Sequence, residues 1–273
     1  MKISCLGPRG TFSDEAAHRY YKGSQVDYHM CGTLIEVIEA VADNQADQGF
    51  VPIENSIEGS INITLDGIIK HKLMIQAEVI FPVSMHLLVN EGVQVKDVKE
   101  IWSIPPALAQ CREFVRELKV PTKDFPSTSM AAEAIKKTTR CDVAAVGSEW
   151  AGSLFGLDIA VRNIEDFQDN QTRFFVVTKE SDSMDFTQKS LLLINPEKEQ
   201  AGVLSSILNV LSALGINLTW IESRPTKRKL GSYQFFMEVE LGGQHPALSK
   251  TMTILSTLGH DVRLLGSYNS IKL

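Results

Sequence analysis

The chain has 273 residues, more than one hydrophobic core usually holds, which predicts about two domains. Its 44% hydrophobic and 22% charged residues are typical of globular proteins, and no segment approaches the roughly 20 unbroken apolar residues of a membrane span. The formal net charge of −6 argues against a nucleic-acid partner, because phosphate backbones bind basic surfaces. Gly7 and Pro8 come too early for the apolar core of a signal peptide, so we expect a cytoplasmic protein.

The cysteine and histidine spacings are not those of a metal site. No CxxC pair occurs, and the four cysteines are expected to be buried or idle thiols: Cys5, Cys31, Cys111 and Cys141. None of the six histidines pairs with another at i, i+4 beside a glutamate base. We therefore expect no metal ligands.

The first part of the chain alternates short apolar strands with helical patterns, which is typical of a mostly parallel sheet covered by helices. The long apolar stretch Met74–Val89 contains Pro82, which is disfavoured inside a sheet. We therefore expect the chain to leave one sheet there and enter another. The elements predicted before this point are strands at Ile3–Leu6 and Phe50–Ile53, and helices at Thr11–Tyr21 and Leu34–Val41.

From Ile101 the same rhythm restarts, and the last strand is expected to return to the first sheet. Two α/β lobes joined by crossing strands enclose a cleft, which is a favoured place for a small-molecule site. We expect the lobes at residues 1–78 with 160–180, and at 79–159. The predicted strands are Ile101–Ser103, Val143–Val146, Asp158–Val161 and Phe174–Thr178, and the predicted helices begin near Pro106, Met130 and Ser148.

A polar segment without periodicity, Glu180–Asp185, indicates a linker. The remainder, residues 189–273, has the order βαββαβ of a ferredoxin-like unit. Its two helices have apolar inner faces and end at Gly215 and Gly259, as helices commonly do. The predicted strands are Ser190–Ile194, Asn217–Ser223, Tyr233–Leu241 and Val262–Leu265.

Three segments of the first part carry side chains suited to chemistry. Gly7–Ser13 joins a strand to a helix, where backbone N–H groups and hydroxyls suit a carboxylate or phosphate. Plain helix capping by Thr11 or Ser13 is the alternative. Pro52–Gly59 follows a buried strand, where Glu54 suits acid–base work and Asn55 and Ser56 suit substrate orientation; an Asx or Ser turn is the alternative.

The third segment is Asp169–Phe174. Arg173 offers a planar fork for a carboxylate, and Thr172 offers a hydroxyl that can donate to a leaving oxygen. A surface arginine beside a strand is the alternative. The hydroxyl groups around Ser127–Ser129 and at Ser148 are interpreted as helix caps. The basic segment Thr226–Lys229 is interpreted as a solvated hairpin loop.

Taken in order, these segments resemble the prephenate dehydratase family over nearly the whole chain. Four stretches carry the resemblance: Gly10–Ser13; Pro52–Ser56 with Glu58, Gly59 and Thr64–Asp66; Thr172–Phe174; and Glu222–Pro225, which resembles the phenylalanine-binding segment of an ACT domain. The resemblance implies a two-lobed catalytic region like that of periplasmic binding proteins at residues 1–180, and an ACT regulatory domain at 189–273. It also implies a homodimer or homotetramer. No chorismate mutase helix precedes Met1, so the monofunctional form is expected.

The resemblance also assigns residues to roles. Catalysis falls to Thr172, Asn55 and Ser56, and substrate binding to Arg173, Thr11, Ser13, Glu54 and Phe174. L-Phenylalanine binding falls to Gly202, Val203, Leu204, Asn217, Leu218, Glu222, Ser223, Arg224 and Pro225. The family usually opens its first ACT helix with Pro-Gly-Ala-Leu, whereas this chain has Ala201-Gly202-Val203-Leu204, which leaves the strength of phenylalanine binding open.

The implied reaction expels carbon dioxide and the ring hydroxyl of prephenate, and aromatisation drives it without a cofactor. Thr172 would donate to the departing hydroxyl while Arg173 anchors a carboxylate. Glu54 would repel the substrate unless it is protonated or faces away. The alternatives are an arogenate dehydratase, a non-catalytic protein that binds an amino acid in the same cleft, and an ACT-regulated enzyme of different chemistry.

Overall fold

The computed structural model describes residues 1–180, 186–197, 200–227 and 229–273. The predicted linker at Ser181–Asp185, and Arg228 of the predicted basic loop, lie outside the described residues. The elements up to the first sheet change are β1 Lys2–Leu6, α1 Phe12–Tyr20, β2 Asp27–Cys31, α2 Leu34–Ala42, β3 Gln48–Asn55, β4 Gly59–Ser60, α3 Asn62–His71 and β5 Met74–Pro82.

The next elements are β6 His86–Val89, β7 Glu100–Ser103, α4 Pro105–Gln110, α5 Arg112–Leu118, β8 Thr122–Asp124, α6 Thr128–Lys137, β9 Val143–Gly147, α7 Glu149–Phe155, β10 Asp158–Val161 and β11 Gln171–Thr178. The remaining elements are β12 Lys189–Asn195, α8 Val203–Ala213, β13 Leu218–Pro225, β14 Tyr233–Val239, α9 Pro246–Thr257, β15 Asp261–Tyr268 and β16 Ser270–Lys272.

The chain divides into two compact units. The first contains Met1–His71, Val79–Phe174 and Lys272–Leu273, and the second contains Lys72–Glu78 and Phe175–Ile271. Strands β5 and β11 contribute residues to both units.

The first sheet has the strand order β16-β5-β11-β3-β1-β2, with β4 paired to β3. Strand β1 is parallel to both β2 and β3, so the C-terminal ends of β1 and β3 lie at the same edge. The apolar run Phe50–Ile53 forms the buried centre of β3, because helices cover such a sheet on its faces. As predicted, β11 returns to this sheet.

The second sheet has the order β10-β6-β9-β7-β8. Strands β7, β8 and β9 are parallel, whereas β6 is antiparallel to β9 and β10. The predicted change of sheet is confirmed, since β5 ends at Pro82 in the first sheet and β6 begins at His86 in the second. The cap interpretation is confirmed at Ser127 and Ser148, whose Oγ atoms accept hydrogen bonds from the N–H groups of Met130 (3.0 Å) and Ala151 (3.1 Å).

The third sheet has the antiparallel order β13-β14-β12-β15 and contains the predicted βαββαβ unit. Helices α8 and α9 pack on one of its faces through a shared apolar core. The fully buried members of that core include Leu192, Ile194, Ile207, Met237 and Leu255. The helical and alternating apolar patterns of this part therefore meet at one interface, as their periodicities require.

A buried cluster of charges lies within the second unit. The Nζ of Lys189 lies 2.8 Å from Glu78 Oε2 and 3.2 Å from Glu238 Oε1. The side chains of Glu78 and Glu238 are 2% and 1% exposed. Glu238 also accepts hydrogen bonds from the Thr219 hydroxyl (2.6 Å) and the Tyr268 hydroxyl (2.8 Å). Two carboxylates thus share one lysine out of water, an arrangement that depends strongly on the cation.

Candidate active site

One edge of the first sheet holds the three motifs of the first unit. The first motif is Gly7–Ser13, the second is Pro52–Gly59 and the third is Asp169–Phe174. The ends of β1 and β3 face this edge because the two strands are parallel. Strand β11 begins there, since the Ser56 N–H donates to the Gln171 carbonyl at 2.9 Å. The sheet therefore brings the second and third motifs into direct contact, with the first motif on the neighbouring strand end.

Asn55 joins the two motifs through its amide. Its Oδ1 accepts from the N–H groups of Ile57 (3.0 Å) and Glu58 (3.1 Å). Backbone N–H groups only donate, so they fix the oxygen on that side and the nitrogen on the other. The Nδ2 accordingly lies 3.0 Å from Thr172 Oγ1 and donates to it. Thr172 therefore acts as an acceptor in this bond and keeps its own proton for another partner.

The Ser56 hydroxyl holds the same two strands together. Its Oγ accepts from the Gln171 N–H at 3.0 Å and lies 3.4 Å from the Asp169 carbonyl, to which it donates. Both functions serve the geometry of the loop. The predicted role of Ser56 in orienting substrate stays a prediction.

Two residues of this network were not found by sequence reasoning. The Asn170 Oδ1 accepts from Asn55 Nδ2 at 2.8 Å, and its Nδ2 donates to Gln110 Oε1 at 2.9 Å. Gln110 comes from α4 beside the second sheet, and its Nε2 donates to Glu58 Oε1 at 3.0 Å. Asn170 stands two residues before Thr172 and is detectable as part of that motif, whereas nothing around Gln110 in the sequence distinguishes it.

Arg173 and Glu54 form an ion pair beside Thr172. The Nη1 of Arg173 lies 3.6 Å from Glu54 Oε2, and the two side chains are 10% and 33% exposed. Glu54 therefore pairs with the guanidinium, and the condition that it faces away from the substrate or is protonated stays a prediction. Phe174 is predicted to bind substrate, but its ring is 1% exposed and stacks on Phe50 at 4.7 Å, which places it in the core beneath the site.

Thr11 caps helix α1. Its Oγ1 accepts from the Asp14 N–H at 3.2 Å and donates to the Leu6 carbonyl at 3.2 Å. Ser13 is buried in the first turn of that helix, where its carbonyl faces the Cys5 thiol at 3.4 Å. The capping alternative is thus realised at Thr11. Substrate binding by Thr11 or Ser13 stays a prediction that rests on the positive end of the helix.

The loop before α1 also contacts helices of the second sheet. The Ser129 hydroxyl of α6 donates to the Arg9 carbonyl. The indole Nε1 of Trp150, on α7, donates to Asp14 Oδ2 at 2.8 Å, and the same oxygen accepts from the Gly10 N–H at 2.8 Å. These bonds join the two lobes at the edge where the motifs lie.

Gly10 is required at this junction for two reasons. Its φ of +87° lies in the left-handed region, and a Cβ there would come within 2.7 Å of Ser129 Oγ. We expect Gly10→Ala to lower the free energy of unfolding by about 1–3 kcal/mol more than Gly23→Ala. Gly23 is the matched control because its φ is +89° and nothing lies within 4 Å of the added Cβ. Urea unfolding measures both, and equal losses would contradict the close contact.

The buried cysteines are unsuited to nucleophilic catalysis. Burial raises the pKa of the Cys111 thiol to about 12, with a smaller contribution from Glu165 and Asp166. Burial also raises the pKa of the thiols of Cys5 and Cys31. A thiol is nucleophilic only as the thiolate, so these three groups fit the structural role predicted for them.

The predicted phenylalanine-binding residues lie in the second unit at the start of α8 and along β13. Gly202 has a φ of +86° and precedes Val203, the first residue of α8. The Asn217 amide donates to Glu240 Oε2 at 2.7 Å, and Leu218 begins β13. Leu204 follows in α8, and β13 ends with Glu222, Ser223, Arg224 and Pro225.

A cavity of about 400 Å³ lies beside the predicted phenylalanine-binding residues at the start of α8. Val203 is its one predicted residue, and the other lining residues are Pro196, Gln200, Ala201, Gly231, Tyr233 and Phe235. Its apolar and aromatic wall suits a side chain of similar chemistry. Strand β14 links this cavity to the predicted residues at the end of β13, since Tyr233 of the cavity wall pairs with Pro225.

Within the described part of the chain, no group of three His, Cys, Asp or Glu side chains is placed to hold a metal ion. No helix in that same part is long and apolar enough to cross a membrane. The expectation that the protein uses no metal or cofactor stays a prediction.

Comparison with known proteins decides the family. Residues 3–182 match the family model described as prephenate dehydratase. The chain belongs to the prephenate dehydratase family. It is 33% identical over 286 residues to the prephenate dehydratase of Bacillus subtilis, and the alignment covers 100% of both chains. The resemblance read from the four motifs is therefore confirmed.

Solved structures of prephenate dehydratases share the fold over the whole chain. The enzyme from Staphylococcus aureus subsp. aureus Mu50 has a TM-score of 0.90 at 33% identity, covering 98% of this chain and 100% of that one. The enzyme from Arthrobacter aurescens, solved in complex with L-Phe, has a TM-score of 0.89 at 29% identity, covering 98% and 90%.

Proposed function

We propose that the protein is a lyase that converts prephenate to phenylpyruvate in L-phenylalanine biosynthesis. Membership of the prephenate dehydratase family supports the reaction. The observation that supports a proton-donating role for Thr172 in this reaction is the hydrogen bond from Asn55 Nδ2 to Thr172 Oγ1. That bond makes the threonine oxygen an acceptor and leaves its proton available to a departing hydroxyl.

The chemistry balances with these groups. The bond between the ring and its carboxylate breaks, carbon dioxide leaves, and the electron pair completes the aromatic ring. The ring carbon–oxygen bond breaks at the same time, and the oxygen takes the proton of Thr172 to leave as water. Solvent returns a proton to Thr172, so one proton is consumed in each turnover. Arg173 anchors a substrate carboxylate, while Glu54 pairs with the same guanidinium.

The test is a spectrophotometric assay of phenylpyruvate formation from prephenate, run with and without L-phenylalanine. Arogenate is assayed in parallel, because the same elimination on the aminated substrate yields phenylalanine. Turnover of prephenate supports the proposal. Turnover of arogenate alone would assign the protein to the arogenate class, and binding without product would indicate a non-catalytic binding protein.

We expect Arg173→Lys to weaken substrate binding more than it slows turnover. A lysine keeps the charge but loses the fork that holds a carboxylate through two bonds. The loss of one charged hydrogen bond predicts a KM for prephenate raised by roughly 10- to 150-fold, with kcat changed less. Arg162→Lys is the matched control, since its pair with Glu149 is exposed on both sides (58% and 52%). An unchanged KM for Arg173→Lys would show that Arg173 is structural.

We also propose the regulatory arrangement implied by the family. Residues 1–180 would form the catalytic domain and residues 189–273 an ACT domain that binds L-phenylalanine, in a homodimer or homotetramer. The L-Phe complex of the Arthrobacter aurescens relative and the apolar cavity beside Val203 support this. A cytoplasmic location remains a prediction. Light scattering during gel filtration, with and without phenylalanine, measures the oligomer.

A further inference from the structure

The orientation of the Asn55 amide is set by a closed series of hydrogen bonds. It starts at the backbone N–H groups of Ile57 and Glu58, which hold Asn55 Oδ1. If the amide were turned over, its oxygen would face Thr172 Oγ1, and the threonine would donate its proton to Asn55 instead of a substrate. The direction of one amide therefore decides where the Thr172 proton points.

Asn170 carries this orientation further. It is 2% exposed, so each of its polar atoms needs a partner within the protein. Its Oδ1 accepts from Asn55 Nδ2 at 2.8 Å, which turns its own Nδ2 toward Gln110. A reversed Asn55 would place two amide oxygens against each other at this position.

Gln110 and Glu58 close the series. Because Gln110 Oε1 accepts from Asn170, its Nε2 points to Glu58 Oε1 at 3.0 Å. A carboxylate only accepts, so it holds Gln110 in this direction. Glu58 thus begins the ring with its backbone N–H and ends it with its side chain. Every amide in the ring has one permitted orientation.

We propose that Asn170 and Glu58 are positioning residues that hold Asn55 and Gln110 in one orientation and so direct the Thr172 proton toward the leaving hydroxyl. This inference rests on the proposed function, because it concerns the proton that Thr172 supplies. It also assigns a task to Asn170. Among the bonds described, its buried side chain is bonded to Asn55 and Gln110 and reaches Thr172 only through Asn55.

The test is a double-mutant cycle with Asn170→Asp and Glu58→Gln. The new carboxylate at position 170 still accepts from Asn55, but it cannot donate to Gln110. Gln110 must turn over to satisfy it, which brings Gln110 Oε1 against the Glu58 carboxylate. That repulsion would displace Glu58, whose backbone N–H holds Asn55 Oδ1, so we expect kcat to fall about 10- to 100-fold, with KM changed less than about threefold. Glu58→Gln alone should lower kcat by no more than about fivefold, because a glutamine side chain can present either atom.

In the double variant the ring is complete again with Gln110 reversed, since the glutamine at position 58 donates to Gln110 Oε1. We expect its kcat to exceed that of Asn170→Asp by about tenfold. A residue that only packs would give effects that multiply, without recovery. Multiplied effects, or a wild-type kcat for Asn170→Asp, would overturn the inference.

Glu58→Lys tests the ring at an exposed position where folding is not at risk. An ammonium group only donates, so it favours the reversed Gln110, and kcat should fall by about three- to tenfold. An unchanged kcat would count against the inference. Glu133→Gln, on the exposed face of α6, is the neutral control. If the wild-type protein makes no phenylpyruvate, the proposed function fails; if it does and the cycle shows no recovery, only the positioning role fails.

Discussion

Thr172→Val is expected to lower kcat for prephenate by about 10²- to 10⁴-fold, the usual contribution of a positioned general acid. Valine has nearly the shape of threonine, and Thr172 is 9% exposed, so packing changes little. The substitution removes the hydroxyl that would protonate the leaving oxygen and the acceptor that Asn55 Nδ2 bonds at 3.0 Å. KM should change much less, because Arg173 would still hold the carboxylate.

Two controls separate the hydroxyl from the fold. Thr172→Ser keeps the hydroxyl and should retain far more activity than the valine variant. Thr122→Val changes an exposed threonine of β8 and should leave kcat unaltered. A near-normal kcat for Thr172→Val, measured with correctly folded protein, would disprove the acid role of Thr172.

Lys189→Met is expected to lower the free energy of unfolding by about 3–5 kcal/mol, because it removes the cation from a buried cluster. Glu78 and Glu238 lie within 3.2 Å of its ammonium group and have almost no access to water. Without the lysine, the two buried carboxylates would lose the ammonium group that lies between them. The hydroxyl groups of Thr219 and Tyr268 also donate to Glu238, but they carry no charge to replace the ammonium group.

Urea unfolding measures this loss. The matched control is Lys137→Met, which removes an exposed i, i+4 pair with Glu133 (2.6 Å; 70% and 42% exposed). Exposed pairs of this kind contribute about 0.3–0.5 kcal/mol. If both variants lose the same small amount, Lys189 does not stabilise the buried carboxylates.

Local patterns predicted most of the fold because they record which side of an element is buried. The apolar face of α8 and the alternation of β14 were visible in the sequence and meet in one core. The caps at Ser127 and Ser148 were visible too, since a cap depends on residues three positions away. Pro82 marked the change of sheet by its missing N–H.

The elements that the sequence did not predict depend on distant partners. Strand β2 (Asp27–Cys31) is short, has one buried residue, and is stabilised by its parallel pairing with β1. Strand β16 has three residues and is paired to β5, which is far away in the chain. Helix α3 (Asn62–His71) contains Gly67, which weakens a helical pattern. Pairing across a sheet stabilises the two short strands, and one sequence does not reveal that pairing.

By itself, the sequence determined the fold class, the βαββαβ unit and the motifs around Asn55 and Thr172, because each depends on residues close in the chain. Only the tertiary structure decided which groups meet. Gln110 lies 60 residues from Asn170 and 52 from Glu58, and Lys189 lies 111 from Glu78. Hydrogen bonds and ion pairs act over about 3 Å, so their partners are known only once the chain has brought them together. For that reason the sequence predicted a proton donor at Thr172, and the structure showed which amides are bonded to one another beside it.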